Sequence, residues 1–127
     1  MQRRYQLHRR RGLRFTNGAI HGPTGVVVVE LLVDTGAALL SPAILRVIGI
    51  DPAQAMAHQQ IVTASGYSMA PVVTIPRLQY LGQQLEHYQV LAHAFPFGSA
   101  INGVLGMHFL ERFPLRFELD LGIISER

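Results

Sequence analysis

The sequence contains no cysteine, and it has no long uninterrupted apolar run. Without cysteine it forms no disulfide framework, no thiolate zinc site and no cysteine nucleophile. The longest apolar stretch, Gly25 to Val33, is interrupted by Glu30 and is far too short to span a bilayer. The N-terminal arginines are not followed by the apolar segment of a signal peptide. We therefore expect a soluble protein with no transmembrane segment. Its compartment is undetermined, with the cytoplasm favoured.

Metal-ligand patterns are also lacking. The six histidines are scattered along the chain, and no pair has the spacing of helical metal ligands. We expect no metal and no cofactor. At 127 residues, with 49% hydrophobic and 15% charged residues, the chain has the size and composition of one folded domain.

Acidic residues are missing from the N-terminal part, where basic residues are concentrated. Six of the eleven basic residues are arginines within the first 14 positions, and the other five are outnumbered by eight acidic residues. The formal charge of +3 therefore describes a leader and not a basic face. We interpret residues 1–14 as a flexible basic leader and residues 15–127 as the folded domain. The leader is either a solvated tail or a segment that binds an anionic surface.

A nucleic-acid partner is not expected. Apart from Tyr5 and Phe15, no aromatic residue is interleaved with the arginines, and the acidic body repels phosphates.

The residue pattern predicts a mainly β fold with two or three short helices. Asn17-Gly18 predicts a two-residue hairpin turn, and the β-branched run Val26 to Val33 predicts a strand covered on both faces. Ser41-Pro42 predicts the capped start of a helix through Ile48. Further helical turns are expected after Asp51 and over 107–113, and further strands over 61–64, 69–75, 77–81, 84–92, 101–105 and 115–121.

Asp34 ends the apolar strand in the sequence Val33-Asp34-Thr35-Gly36-Ala37. An Asp-Thr-Gly tripeptide alone is weak evidence, because Asp also commonly caps the loop after a strand. Ser41 is available as the cap of the following helix, which leaves Asp34 without a local structural role. A carboxylate at the end of a buried strand is costly unless a partner is brought to it.

Three segments in this order resemble the retropepsin-like aspartic proteases. They are Leu31 to Ala37, the hairpin around Ser65-Gly66-Tyr67, and Asn102 to Met107 followed by Phe109-Leu110. The resemblance implies a small closed β barrel that acts as a homodimer. Two positions depart from it: Ala38 stands where retroviral members usually have an acidic residue, and His108 stands where relatives more often carry Asp or a polar residue.

The resemblance also implies the site residues. Asp34 is the expected catalytic carboxylate, and Thr35, Gly36 and Ala37 support its loop. The expected flap, which contacts substrate, comprises Ala64, Ser65, Gly66 and Tyr67. The segment expected beneath the active-site loop comprises Val104, Leu105 and Gly106.

The expected function is that of an aspartic endopeptidase acting on an extended polypeptide. This chemistry needs two carboxylates that share one proton. The other aspartates, Asp51 and Asp120, are not followed by Thr-Gly or Ser-Gly, so the second carboxylate has to come from another copy. The apolar strand around Leu119 to Ile124 is the candidate for part of that interface. The alternative is a catalytically inactive dimeric module of the same fold, used for binding or assembly.

Overall fold

The computed structural model describes residues 2–33, 38–63, 66–95, 101–106, 115–118 and 121–125. Its secondary structure is mainly β, with helix α1 at Pro42–Val47 and a 3₁₀ turn at Pro52–Gln54. The strands are β1 (Gln2–Gln6), β2 (His8–Arg10), β3 (Leu13–Gly22), β4 (Gly25–Val33), β5 (Leu39–Leu40), β6 (Ala57–Thr63), β7 (Gly66–Tyr80), β8 (Gln83–Ala92), β9 (Gly103–Leu105), β10 (Leu115–Glu118) and β11 (Leu121–Ser125).

The described strands form two sheets. The larger sheet has the order β2-β3-β4-β9-β5-β8-β7-β6, and the smaller has the order β1-β11-β10. β3 also pairs with β7, with Ile20 opposite Leu78. Hydrogen-bonded pairing therefore runs from β3 through β4, β9, β5, β8 and β7 and back to β3.

The main core lies on the inner side of this ring of strands. Its fully buried side chains share an aliphatic character: Ile20, Leu31, Leu45, Ile48, Ile75 and Leu105. Leu45 comes from α1 and Ile48 is the residue after it, so the helix packs against this core. Burial of side chains of this size is worth roughly 1.5–3 kcal/mol each.

Several sequence predictions are confirmed. The strand predicted over Val26 to Val33 is β4, the helix predicted after Ser41 is α1, and the strands predicted on either side of Ser65-Gly66 are β6 and β7. The predicted helix over 107–113 lies outside the described residues.

The predicted hairpin at Asn17-Gly18 is wrong, because Leu13–Gly22 is one continuous strand. Gly18 is buried against the side chain of Leu31: a Cβ built on Gly18 comes within 2.6 Å of the Leu31 Cδ1 atom. This glycine therefore serves close packing between β3 and β4. The chain turns instead at Pro23-Thr24 and at Arg11-Gly12, where both residues have positive φ.

Two further predictions about the strands are wrong. β4 is not covered on both faces along its length, because Val26 and Val28 are 56% and 67% exposed. β7 is one strand through Pro76 and not two. Ile75 and Arg77 both pair with β8, so the chain continues in register past the proline.

The leader residues are paired within the sheets. β1 pairs with β11, and β2 pairs with β3. Leu7, between them, is 2% exposed and belongs to the main core, against which Tyr5 also packs. Residues 2–10 therefore differ from the flexible segment expected from their arginine content, because two large apolar side chains hold them. The division of the chain at residue 14 stays a prediction.

Replacing Gly18 by alanine is expected to lower the free energy of unfolding by about 1–3 kcal/mol, since the added methyl group meets a Leu31 side chain that is itself buried. Gly25→Ala is the matched control on the neighbouring strand, where a Cβ meets nothing within 4 Å. The control should be neutral or slightly stabilising, because alanine loses less entropy than glycine on folding. Urea unfolding of both variants measures the difference, and equal midpoints would contradict the packing role.

Candidate active site

Two strands lead into and out of the segment that carries Asp34. β4 ends at Val33, and β5 begins at Leu39 after Ala38. Asp34, Thr35, Gly36 and Ala37, the predicted catalytic residue and its supporting loop, lie outside the described residues. The surroundings of the site are therefore defined by the strands on either side of this segment.

β9 lies between these two strands. It pairs with β4 in parallel, with Leu32 opposite Val104 and Val33 opposite Leu105. It pairs with β5 antiparallel, with Leu39 also opposite Val104. The end of β4 and the start of β5 are thus both at the C-terminal end of β9. The segment 34–37 joins these two ends.

The predicted supporting segment is next to this junction. Val104, Leu105 and Gly106 are all buried, and the first two are in register with the strands that flank the Asp34 segment. The structure therefore brings them beside the candidate loop's two ends. Their role beneath Asp34 itself stays a prediction.

β9 is packed on both of its faces. Leu105 belongs to the main core. Val104, on the opposite face, forms a second cluster with Phe15 and Leu32, and this cluster is bordered by partly buried Leu39, Phe95 and Ile101. A short strand with apolar contacts on both faces is held firmly, which suits a support for a reactive loop.

Backbone hydrogen bonds fix the chain that leaves the candidate loop. The Leu91 N–H donates to the Ala38 carbonyl at 2.9 Å, and the His93 N–H donates to the Leu40 carbonyl at 3.0 Å. At the end of β5, the Ser41 N–H donates to a carbonyl of the segment before β9 at 2.9 Å. The expected capping hydrogen bond from the Ser41 side chain is absent, although Ser41 occupies the N-cap position of α1.

The predicted flap lies on a two-stranded hairpin. β6 pairs with the first part of β7, from Ala57 opposite Val72 to Thr63 opposite Gly66. Ala64 and Ser65 lie outside the described residues, whereas Gly66 and Tyr67 are the first residues of β7. β8 pairs with β7 only from Val72 onward. In the described part of the chain, the hairpin end of β7 thus has β6 as its one neighbour.

One face of this hairpin carries three exposed apolar side chains, beside Gln60, which lies opposite Met69. Val62 lies directly opposite Tyr67, and Met69 is two residues further along the same face of β7. These three side chains are 79%, 76% and 59% exposed. Large apolar side chains gathered on one exposed face indicate a contact surface for another molecule.

One contact near the site was missed by the sequence analysis. The guanidinium group of Arg10 forms an ion pair with Glu30 of β4 and lies over the ring of Phe15, with its central carbon 4.4 Å from the ring centroid. Glu30 is the single charged residue in the apolar stretch that precedes Asp34, which is a signal that it needs a basic partner. The sequence has six leader arginines, and nothing in it indicates which of them pairs with Glu30.

No group of three or more His, Cys, Asp or Glu side chains within the described ranges is placed to hold a metal ion. Nor does any helix in that part of the chain have the length and apolar character needed to cross a membrane.

Comparisons with known proteins were made for the whole chain. A family model described as "gag-polyprotein putative aspartyl protease" matches residues 17–112, a range that includes Asp34 and Val104 to Gly106. No curated protein matches the chain. Among solved structures, the chain is similar to the crystal structure of a retropepsin-like aspartic protease from Rickettsia conorii. The TM-score is 0.75 at 22% sequence identity, and the match covers 98% of this chain and 91% of the other.

Gly103, at the start of β9, is expected to contribute to the close packing of this arrangement. A Cβ built on it comes within 2.6 Å of the Leu40 side chain and 2.7 Å of the Leu31 side chain. An added methyl group would therefore push against the side chains of β5 and β4 next to β9. Gly103→Ala should lower the free energy of unfolding by about 1–3 kcal/mol. It should also speed amide exchange at Leu39 and Leu40 more than Gly18→Ala does, as hydrogen–deuterium exchange can measure. Unchanged exchange in β5 would argue against β9 as its support.

Proposed function

The chain belongs to the retropepsin-like aspartic protease family, and on that premise we propose that it is an endopeptidase whose active site forms between two identical copies. The observation that carries the proposal is the placement of β9 between β4 and β5. Both ends of the segment that holds Asp34 are thereby fixed at one buried support, as a precisely positioned carboxylate requires.

Each copy contributes one Asp34 to a pair of carboxylates. Two carboxylates about 3 Å apart do not both ionise, so the pair holds one shared proton. The ionised group accepts a proton from a water molecule, and the water oxygen bonds to the carbonyl carbon of the substrate. The protonated group donates its proton to the carbonyl oxygen. Transfer of a proton to the amide nitrogen then accompanies cleavage of the C–N bond, which releases a carboxylic acid and an amine.

The residues beside Asp34 hold the carboxylate in position. In this proposal Thr35 links the loops of the two copies through its hydroxyl group, and Gly36 and Ala37 allow the close backbone approach. Val104, Leu105 and Gly106 support the loop from below. In a two-fold (isologous) interface both copies use the same surface patch, so one sequence supplies both halves of the proposed active site.

The β6–β7 hairpin acts as the flap. A two-stranded ribbon is only marginally stable by itself, which suits a segment that opens for substrate and closes over it. The exposed side chains of Val62, Tyr67 and Met69 on one of its faces support contact with apolar side chains of an extended peptide. Binding of the peptide backbone then resembles addition of a strand.

The expected interface at the strand around Leu119 to Ile124 stays a proposal. β11, which contains most of Leu119 to Ile124, is paired with β1 on one side and β10 on the other within one chain. Its backbone is therefore already hydrogen-bonded on both edges. Among the described strands of this sheet, β1 and β10 have an open edge. We propose that two copies meet at this sheet, with β11 contributing to the interface and the open edges available to pair with the second copy.

Asp34→Asn is expected to lower kcat/KM by at least about 10³-fold, since it removes the charge that activates water. The matched control is Asp51→Asn, which changes an exposed carboxylate and keeps the oxygen that accepts the Ala53 N–H at 3.0 Å. Cleavage of an unbiased peptide library between about pH 3 and about pH 7 covers the titration of an aspartic dyad. A folded, dimeric wild-type protein that cleaves nothing would favour the inactive binding module instead.

Mixing the wild type with Asp34→Asn tests the shared site directly. When Asp34→Asn is added in an equal amount to a fixed amount of wild type and subunits exchange freely, about a quarter of all dimers contain two wild-type copies. That is about half the number of such dimers before the addition, so the rate should fall to about half. Addition of Asp51→Asn in the same amount should cause no such fall. A rate that stays constant in the Asp34→Asn mixture would show that one chain suffices.

A further inference from the structure

We propose that Arg10, from the arginine-rich leader, is a positioning residue for the active-site loop. It acts through Phe15 of β3 and Glu30 of β4, the strand that leads to Asp34. This inference rests on the proposed function for its effect on catalysis, and on the described contacts for its effect on the loop. It gives the leader a role in the fold beyond that of a solvated tail.

The first step is the contact itself. Arg10 and Leu13 are opposite each other in the short β2–β3 hairpin, so the guanidinium group reaches across β3 toward β4. There it forms the ion pair with Glu30 and lies over the ring of Phe15. Planar stacking together with a charge pair is a combination that arginine makes better than lysine.

The second step is the need of Glu30 for a partner. Its side chain is 31% exposed, and its Oε1 atom, which pairs with Arg10, is buried. A buried carboxylate oxygen in an apolar strand is costly without a cation. Glu30 is the first acidic residue in the chain, and in the structure Arg10 is the cation that pairs with it.

The third step is a row of side chains across four strands. Phe15 is opposite Leu32, Leu32 is opposite Val104, and Val104 is opposite Leu39. Phe15, Leu32 and Val104 are 3%, 9% and 9% exposed. This row reaches the chain two residues before Asp34 and two residues after Ala37, so it supports both ends of the candidate loop.

Arg10 covers the Phe15 end of this row. Removal of its side chain exposes the Phe15 ring to water and leaves Glu30 without its cation. The loss to the whole fold is modest, because Arg10 is 47% exposed and such ion pairs are screened by solvent. The consequence is local, since a catalytic group displaced by about 1 Å can lose about 10²-fold in rate.

The test compares Arg10→Ala with Arg4→Ala, which removes the same charge from an exposed leader position. For Arg10→Ala we expect kcat to fall about tenfold or more with KM within about twofold, as positional loss predicts. Arg10→Lys should recover part of kcat, because it keeps the ion pair and loses the stacking. Exchange of amide hydrogens over residues 31–40 should be faster in Arg10→Ala and unchanged in Arg4→Ala.

The outcomes separate this inference from the proposed function. If Arg10→Ala matches Arg4→Ala in both kcat and exchange, Arg10 has no positioning role. If the wild type is folded but cleaves no peptide, the proposed function fails. In that case the exchange comparison alone decides whether Arg10 holds the loop, and equal exchange in the two variants overturns the inference.

Discussion

The insertion of β9 between β4 and β5 is the constraint on which the rest of the structure depends. Backbone groups buried in a sheet need hydrogen-bond partners, and β9 receives them from a parallel neighbour on one side and an antiparallel neighbour on the other. The two strands that flank Asp34 are thus held apart by the width of one strand. Any loop between them has its ends fixed before it makes contacts of its own.

This insertion determines which residues are tolerated around it. At the start of β9, any side chain at Gly103 would force Leu31 and Leu40 to shift. Beyond that glycine, the strand has to be apolar on both faces, because one face meets the main core and the other meets the cluster of Phe15 and Leu32. The second cluster is small and lies near the surface, so the arginine over Phe15 becomes part of its cover. The leader residue Arg10 therefore contacts the same cluster that packs against β9.

The sequence predicted local elements well and long-range pairing poorly. β4, α1 and the β6–β7 hairpin were found from runs of residues whose preferences agree with their surroundings. The hairpin turn predicted at Asn17-Gly18 was wrong. The turn preference of this pair is local, whereas the packing of Gly18 on Leu31 depends on a residue distant in sequence. The leader is a similar case. Its charges predicted a solvent-exposed segment, but Leu7 within it is buried in the core. The placement of Val104 and Leu105 beside the Asp34 segment came from family resemblance, since no local pattern pairs residues so far apart.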